Sequence, residues 1–152
     1  VDAALRLLQY RLKSYDVAVS VNRPIPLPAT PIDAEQLKEV VVNLIVNACE
    51  AMGRGGSIAI EERAETHPSL GPAAVVVVRD TGPGIPAHLR ERIFQPFFST
   101  KEQGTGLGLS IAQRIIAEHG GRLEVESTEG RGAAFIIILP CREPSHEHDS
   151  DH

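Results

Sequence analysis

Tryptophan is absent from this chain of 152 residues and aromatic side chains are scarce, with four Phe and two Tyr. Cysteine is nearly absent too. Cys49 and Cys141 stand in apolar surroundings without metal-ligand spacing, which predicts free buried thiols in a reducing compartment rather than a disulfide. No apolar run reaches membrane-spanning length and no signal peptide opens the sequence, so the expectation is a soluble, cytoplasmic piece, whatever anchors a larger parent. Positive charge is in deficit. Fifteen Lys and Arg against twenty Asp and Glu give −5, which argues against nonspecific nucleic-acid binding. Residues 142–152 hold four acids and one Arg and read as a disordered acidic, His-bearing tail. The remaining 1–141, at 42% apolar residues for the whole chain, suffice for one domain with one core.

What is present is glycine in two dense stretches, Asp80-Thr-Gly-Pro-Gly-Ile85 and Gly104-Thr-Gly-Leu-Gly-Leu-Ser110, downstream of a helical segment with Asn43 and Asn47. The second stretch runs into the amphipathic pattern Leu107, Leu109, Ile111, Ala112, Ile115, Ile116, and backbone N–H groups at such a helix start attract anions. Together the three elements point to a bound nucleotide. Neither stretch contains the Gly-Lys-Ser/Thr of a P-loop, and the G-x-G at 82–84 opens no long helix, so a doubly wound nucleotide fold is excluded.

The periodicity predicts a helix over 2–14 and a strand over 16–22 with Val17, Val19 and Val21 alternating. Pro24, Pro26, Pro28 and Pro31 interrupt regular structure. Asp33 is the expected N-cap of a long helix ended by Gly53, Gly55 and Gly56. Strands are predicted at 57–63 and 73–80, the second central because Val75–Val78 is unbroken, and again at 121–127 and 133–140. A short helix is expected over 87–92, a loop to 104, and a helix from there to about His119. This order implies an α/β (α+β) two-layer sandwich, with about three helices on one face of a mixed, mostly antiparallel sheet.

Four boxes then carry a resemblance. Asn43-Leu-Ile-Val-Asn47-Ala, Asp80-x-Gly82-x-Gly84, Phe94-Gln-Pro-Phe97-Phe98 and Gly104-Thr-Gly-Leu-Gly108 resemble the N, G1, F and G2 boxes of the catalytic ATP-binding domain of sensor histidine kinases. That family has the Bergerat-type fold shared with type II topoisomerases, mismatch-repair clamp ATPases and a chaperone class. Pro96-Phe-Phe-Ser-Thr-Lys101, so soon before Gly104, is most similar to nitrogen-regulation-type kinases with a short ATP lid, here about 86–104.

The resemblance implies ATP and Mg²⁺ as cofactors and Asn47 as a metal ligand, a role an amide carbonyl suits chemically. Asn43, Asn47 and Glu50 share one helix face. The plainer reading of both Asn residues is capping or surface placement, which their mid-helix position among Val and Leu disfavours. Asp80 would accept from the exocyclic amine of adenine, with Gly82, Gly84 and Ile85 letting the backbone approach base and ribose. Gly106, Leu107, Gly108 and Leu109 would offer amides to the phosphates. Thr105 and Lys101 are candidate side-chain contacts, with Lys101 equally readable as a solvated lid charge. Phe94, Phe97 and Phe98 would anchor the lid hinge or simply pack the core.

A carboxylate separates hydrolases from kinases in this group. The clamp ATPases place Glu one turn before the metal-binding Asn, whereas this chain has Asn43 there, and an amide takes no proton at neutral pH. Glu39 lies a further turn away, about 6 Å along the axis. The missing base favours phosphoryl transfer, and the resemblance implies a histidine acceptor on a dimerisation domain upstream of residue 1, and through it a response regulator. No histidine here has the acceptor's setting, and a monomer is expected. A clamp-type ATPase and a stand-alone Ser/Thr kinase of the anti-sigma type are the alternatives. Two departures from the family stand out: Ala133 and Ala134 follow Gly132 where Ser or Thr is common, and Glu50 stands where Lys or Arg is common, with Arg54 one turn on.

Overall fold

The computed structural model describes residues 1–23, 33–53, 55–95, 108–127 and 130–141. The proline-rich segment, Arg54, the second half of the F box, most of the second glycine stretch and the tail lie outside the described residues.

Helix α1 spans Asp2–Ser14 and buries Ala4, Leu8 and Leu12, four residues apart on one stripe. Its other side leaves Leu7 and Tyr10 exposed, at 63% and 80%. Strand β1, Ala18–Asn22, follows with alternating burial. Helix α2, Ala34–Met52, starts as expected on Asp33, whose carboxylate accepts from the backbone N–H groups of Glu35 (2.8 Å) and Gln36 (3.2 Å). Val40, Val41, Leu44, Ile45, Ala48 and Cys49 form its buried side, packed against α1 and α3.

Strands β2, Ser57–His67, and β3, Gly71–Asp80, form a hairpin longer than the sequence pattern foretells. The strand expected over 57–63 runs on through Ala64, Glu65, Thr66 and His67, which the sequence pattern leaves out. They pair with Ala74, Ala73, Pro72 and Gly71, and that partner makes them a strand. The helix expected over 87–92 is instead two 3₁₀ turns, Ala87–Leu89 and Arg92–Phe94. Helix α3, Gly108–Glu118, stops where its chain turns through Gly120 at φ +77°. There Gly121 N donates to Ile116 O and Gly120 N to Ala117 O, a Schellman termination. Strands β4, Arg122–Ser127, and β5, Ala133–Pro140, complete the sheet.

The sheet order is β1-β2-β3-β5-β4, with β1 parallel to β2 and every other pair antiparallel. Opposite residues share a face, so the register sorts the core in two. Ile58, Ile60, Val76, Val78, Phe135, Ile137, Leu139 and Leu123 join the helices in the main core. Val75, Val77, Ala134, Ile136 and Ile138 form a second cluster on the opposite face, where Arg63 pairs with Glu61 and Glu65. Strand β3 is therefore buried on both faces and central, where its unbroken valine run predicts a central strand covered on at least one face. At the sheet edge Arg23 bonds Asp2 (2.5 Å) and Glu62 (3.0 Å), tying the start of α1 to β2. Cys49 is buried and Cys141 only half-buried, so the expectation of two buried thiols holds for the first alone; both are free.

Candidate functional site

The site lies where α2, the end of β3 and the start of α3 meet. Asp80 closes β3 on the helix side of the sheet and is 4% exposed, the one buried charged residue among those described. A carboxylate loses hydration there. Burial accordingly pushes its pKa above the ordinary range, partly offset by hydrogen bonds from the backbone of Gly82 and Ala133. Both bonds fall on Oδ1, at 2.8 Å from Gly82 N and 3.3 Å from Ala133 N. Oδ2 receives no hydrogen bond from a described residue and keeps its acceptor capacity.

Close backbone approach surrounds this carboxylate. A Cβ on Gly132, which sits at φ +93°, would meet the Asp80 carbonyl oxygen at 2.2 Å. A Cβ on Gly82 would lie 3.1 Å from Asp80 Oδ1 and 3.2 Å from Met52 Cγ. Gly84 turns the loop at φ +79°, and Ile85 beyond it packs partly buried against the core. Thr81 locks the strand end from below, its hydroxyl accepting from Ser57 N at 3.0 Å.

On α2, Asn43, Asn47 and Glu50 are half-buried on the side facing away from the core residues. Asn43 Nδ2 donates to Gly108 O at 3.3 Å, which joins the N box to the first residue of α3. Asn47 has no hydrogen bond to a described residue, so its amide oxygen is unclaimed among the described residues. One neutral oxygen is a fitting protein contribution to a Mg²⁺ ion that otherwise keeps phosphate and water ligands. Glu50 forms no ion pair among the described residues, and Arg54 is outside them. Glu39 is exposed. Leu109 follows Gly108 in the first turn of α3 and packs against the core.

Phe94 meets Phe135 edge-on, with ring centroids 6.3 Å apart and planes at 89°, so the start of the F box is fixed to the sheet. Phe97, Phe98, Lys101, Gly104, Thr105, Gly106 and Leu107 lie outside the described residues. Among the described histidines, His67 accepts at Nδ1 from Ser69 N and Leu70 N in its own turn, and His119 Nδ1 lies 2.8 Å from Ile115 O.

Three residues here escape sequence reasoning. Ser127, at the end of β4, accepts from Ile85 N at 2.6 Å and donates to Gly132 O at 3.0 Å through its hydroxyl. Arg90 donates to the Ser127 carbonyl, and Gly130 N donates to Pro83 O at 2.6 Å. Thr81 is the third. Only the position of Ser127 just before Gly130-x-Gly132 offered a signal, and a weak one.

The model of the family described as histidine kinase-, DNA gyrase B-, and HSP90-like ATPase matches residues 32–143. Sporulation kinase C of Bacillus subtilis is 44% identical over 114 residues, 74% of this chain and 25% of that protein. Sensor histidine kinase ZraS of Salmonella typhimurium is 38% identical over 140 residues, 92% of this chain and 29% of that protein. The chain thus spans under a third of the length of these curated relatives. Among solved structures, the catalytic domain of histidine kinase ThkA superposes with a TM-score of 0.78 at 36% identity, covering 91% of this chain and 88% of that one. Full-length ShkA in complex with AMPPNP gives 0.78 at 29% identity, over 91% of this chain and 28% of that one. ThkA in complex with the response regulator protein TrrA gives 0.74 at 32% identity, over 93% and 39%. On the family match and the close, nearly full-length likeness to a solved catalytic domain, this chain belongs to the histidine kinase-, DNA gyrase B- and HSP90-like ATPase family, among the catalytic domains of histidine kinases.

Proposed function

We propose that residues 1–141 bind ATP with Mg²⁺ and donate its γ-phosphoryl group to a histidine on a separate dimerisation domain of the parent protein, which passes it to a response regulator. The observation that carries this reading is Asp80, a buried carboxylate with Oδ1 held by two backbone N–H groups and Oδ2 left to accept. An exocyclic amine satisfies that oxygen, whereas a guanine carbonyl in the same place sets acceptor against acceptor. Membership of the ATPase family, and the complexes of ShkA with AMPPNP and of ThkA with a response regulator, support the substrate and the partner.

Gly82, Gly84 and Ile85 would present backbone to base and ribose. Gly108 and Leu109, with Thr105, Gly106 and Leu107 before them, would turn amides toward the phosphates. Asn47 would hold Mg²⁺ through its amide oxygen, with Asn43 and Glu50 alongside. When bound, the ion supplies neutralisation of the phosphate charge. Residues of about 86–104, described as far as Gln95, take the part of the lid, with Lys101 and Phe98 as contacts on it.

Helix α2 supports donation rather than hydrolysis. In the hydrolases the activating carboxylate stands one turn before the metal-holding Asn, but here that position is Asn43, an amide engaged with Gly108 O, and Glu39 a turn further away is exposed. The test incubates the domain with Mg²⁺ and γ-labelled ATP, with and without a separately produced dimerisation domain of a matching sensor kinase. Acid-labile, alkali-stable label on that domain, and slow phosphate release by the catalytic piece alone, are expected. Steady release without the acceptor would support the hydrolase instead. In isolation the piece should sediment as a monomer.

A further inference from the structure

We propose that Ser127 is a positioning residue for base selection, and that its hydroxyl sets which way the Asp80 carboxylate faces. The inference rests on the ATP reading above. It begins from one peptide group. The carbonyl of Gly132 and the N–H of Ala133 belong to the same planar unit, so fixing one end fixes the other. Ser127 Oγ holds the carbonyl end at 3.0 Å, and the N–H end donates to Asp80 Oδ1 at 3.3 Å.

The same hydroxyl reaches the other flank of Asp80. It accepts from Ile85 N at 2.6 Å, at the far end of the loop whose Gly82 N bonds Oδ1 at 2.8 Å. A serine hydroxyl has one proton to give and two lone pairs to offer, so one donated and one accepted bond is a natural pairing. Alanine can make neither. Ser127 is itself held, its carbonyl accepting from Arg90 and its neighbour Gly130 N bonding Pro83 O at 2.6 Å. It faces Ala133 directly in the β4–β5 register. A methyl group stands there in place of a hydroxyl, so the only hydroxyl on this pair is the one on β4.

With both flanks tied, Oδ1 is committed to the backbone and Oδ2 is presented to the base. Freed of the Ser127 tether, the Gly132–Ala133 peptide and the 82–85 loop can shift, and the carboxylate can rotate. An exocyclic amine then loses a well-aimed acceptor, while a carbonyl at the same ring position loses a group that repelled it.

The experiment titrates wild type, Ser127→Ala, Ser127→Thr and Ser127→Cys with ATP and with GTP in Mg²⁺ by calorimetry, and records the melting temperature of each. Ser127→Ala is expected to weaken ATP about tenfold while GTP changes less than about twofold, so the ATP-over-GTP ratio falls about tenfold. Threonine, which keeps the hydroxyl, restores the ratio, and cysteine, a weak donor of similar size, gives an intermediate value. An unchanged ratio in the alanine and cysteine variants overturns the proposal. So does a parallel loss for both nucleotides that tracks the melting temperature, since that is a structural role only. Should alanine fail to fold, the threonine-to-cysteine contrast decides by the same ratio. If wild type binds neither ATP nor ADP, the ATP reading itself falls, and this inference with it.

Discussion

Replacing Gly132 with alanine tests the closest approach in the site. Two costs add. At φ +93° an L side chain is strained, at roughly 1–2 kcal/mol for a left-handed conformation. The new Cβ would also stand 2.2 Å from the Asp80 carbonyl oxygen and 3.1 Å from its carbon, against the roughly 3.4 Å at which ordinary contact begins. Both neighbours are backbone, so relief requires moving the end of β3 or the start of β5 by about 1 Å, and such overpacking costs about 1–3 kcal/mol. The total is about 2–5 kcal/mol. That is a large part of the roughly 5–15 kcal/mol that holds a domain together. At about 3 °C per kcal/mol for a chain of this size, the melting temperature should fall by about 6–15 °C. Thermal unfolding followed by circular dichroism measures this, and an ATP titration below the transition should show weakened binding, since Asp80 must move. A variant melting within about 2 °C of wild type with unaltered ATP affinity would refute the reasoning and show that β3 and β5 have slack at this point.

Asp80→Asn should separate stability from binding. Burial raises the carboxyl pKa, so the folded state holds its proton longer than the unfolded state, and stability declines as pH rises from about 3.8 through the folded value. Melting scans from pH 4 to pH 8 should show wild type losing ground to the asparagine variant as pH climbs, with ATP affinity lower in the variant; parallel curves would contradict the sign. Asp33→Ala should cost about 1 kcal/mol through loss of the α2 cap, and Asp33→Ser should recover most of it in urea unfolding. Ile137→Ala, at a fully buried position in the centre of the main core, should cost about 2–5 kcal/mol, whereas Leu7→Ser on the exposed side of α1 should stay within about 0.5 kcal/mol.

The features that sequence reading captured are local ones. Asp33 is readable because a cap needs only an acid before an apolar period. Val75–Val78 is readable as a covered, central strand because it shows no polar alternation, and its burial on both faces accounts for that. The four boxes are readable as ordered strings, and the structure brings Asn43 against Gly108, two of those strings, across 65 residues. What escaped depends on distant partners. The last residues of β2, from Ala64 to His67, fall outside the expected strand until the start of β3 lies beside them. Ile85 and Ser127 are 42 residues apart, and nothing in either neighbourhood declares their bond. The turns at 87–94 follow no helical period, and Arg92–Phe94 is held by the edge-on contact of Phe94 with Phe135.

Helix α2 carries the main core on one side and the Asn43, Asn47, Glu50 row on the other. A rigid rod used in this way leaves little room for independent tuning. Any repacking of Leu44, Ala48 or Cys49 that rolls or slides the helix displaces the amides by the same amount, so selection on the proposed site is also selection on packing. Engineers seeking a hardier version of this domain should therefore work on the far face of the sheet, around Val75, Ile136 and Ile138, a cluster separate from the one that holds the rod.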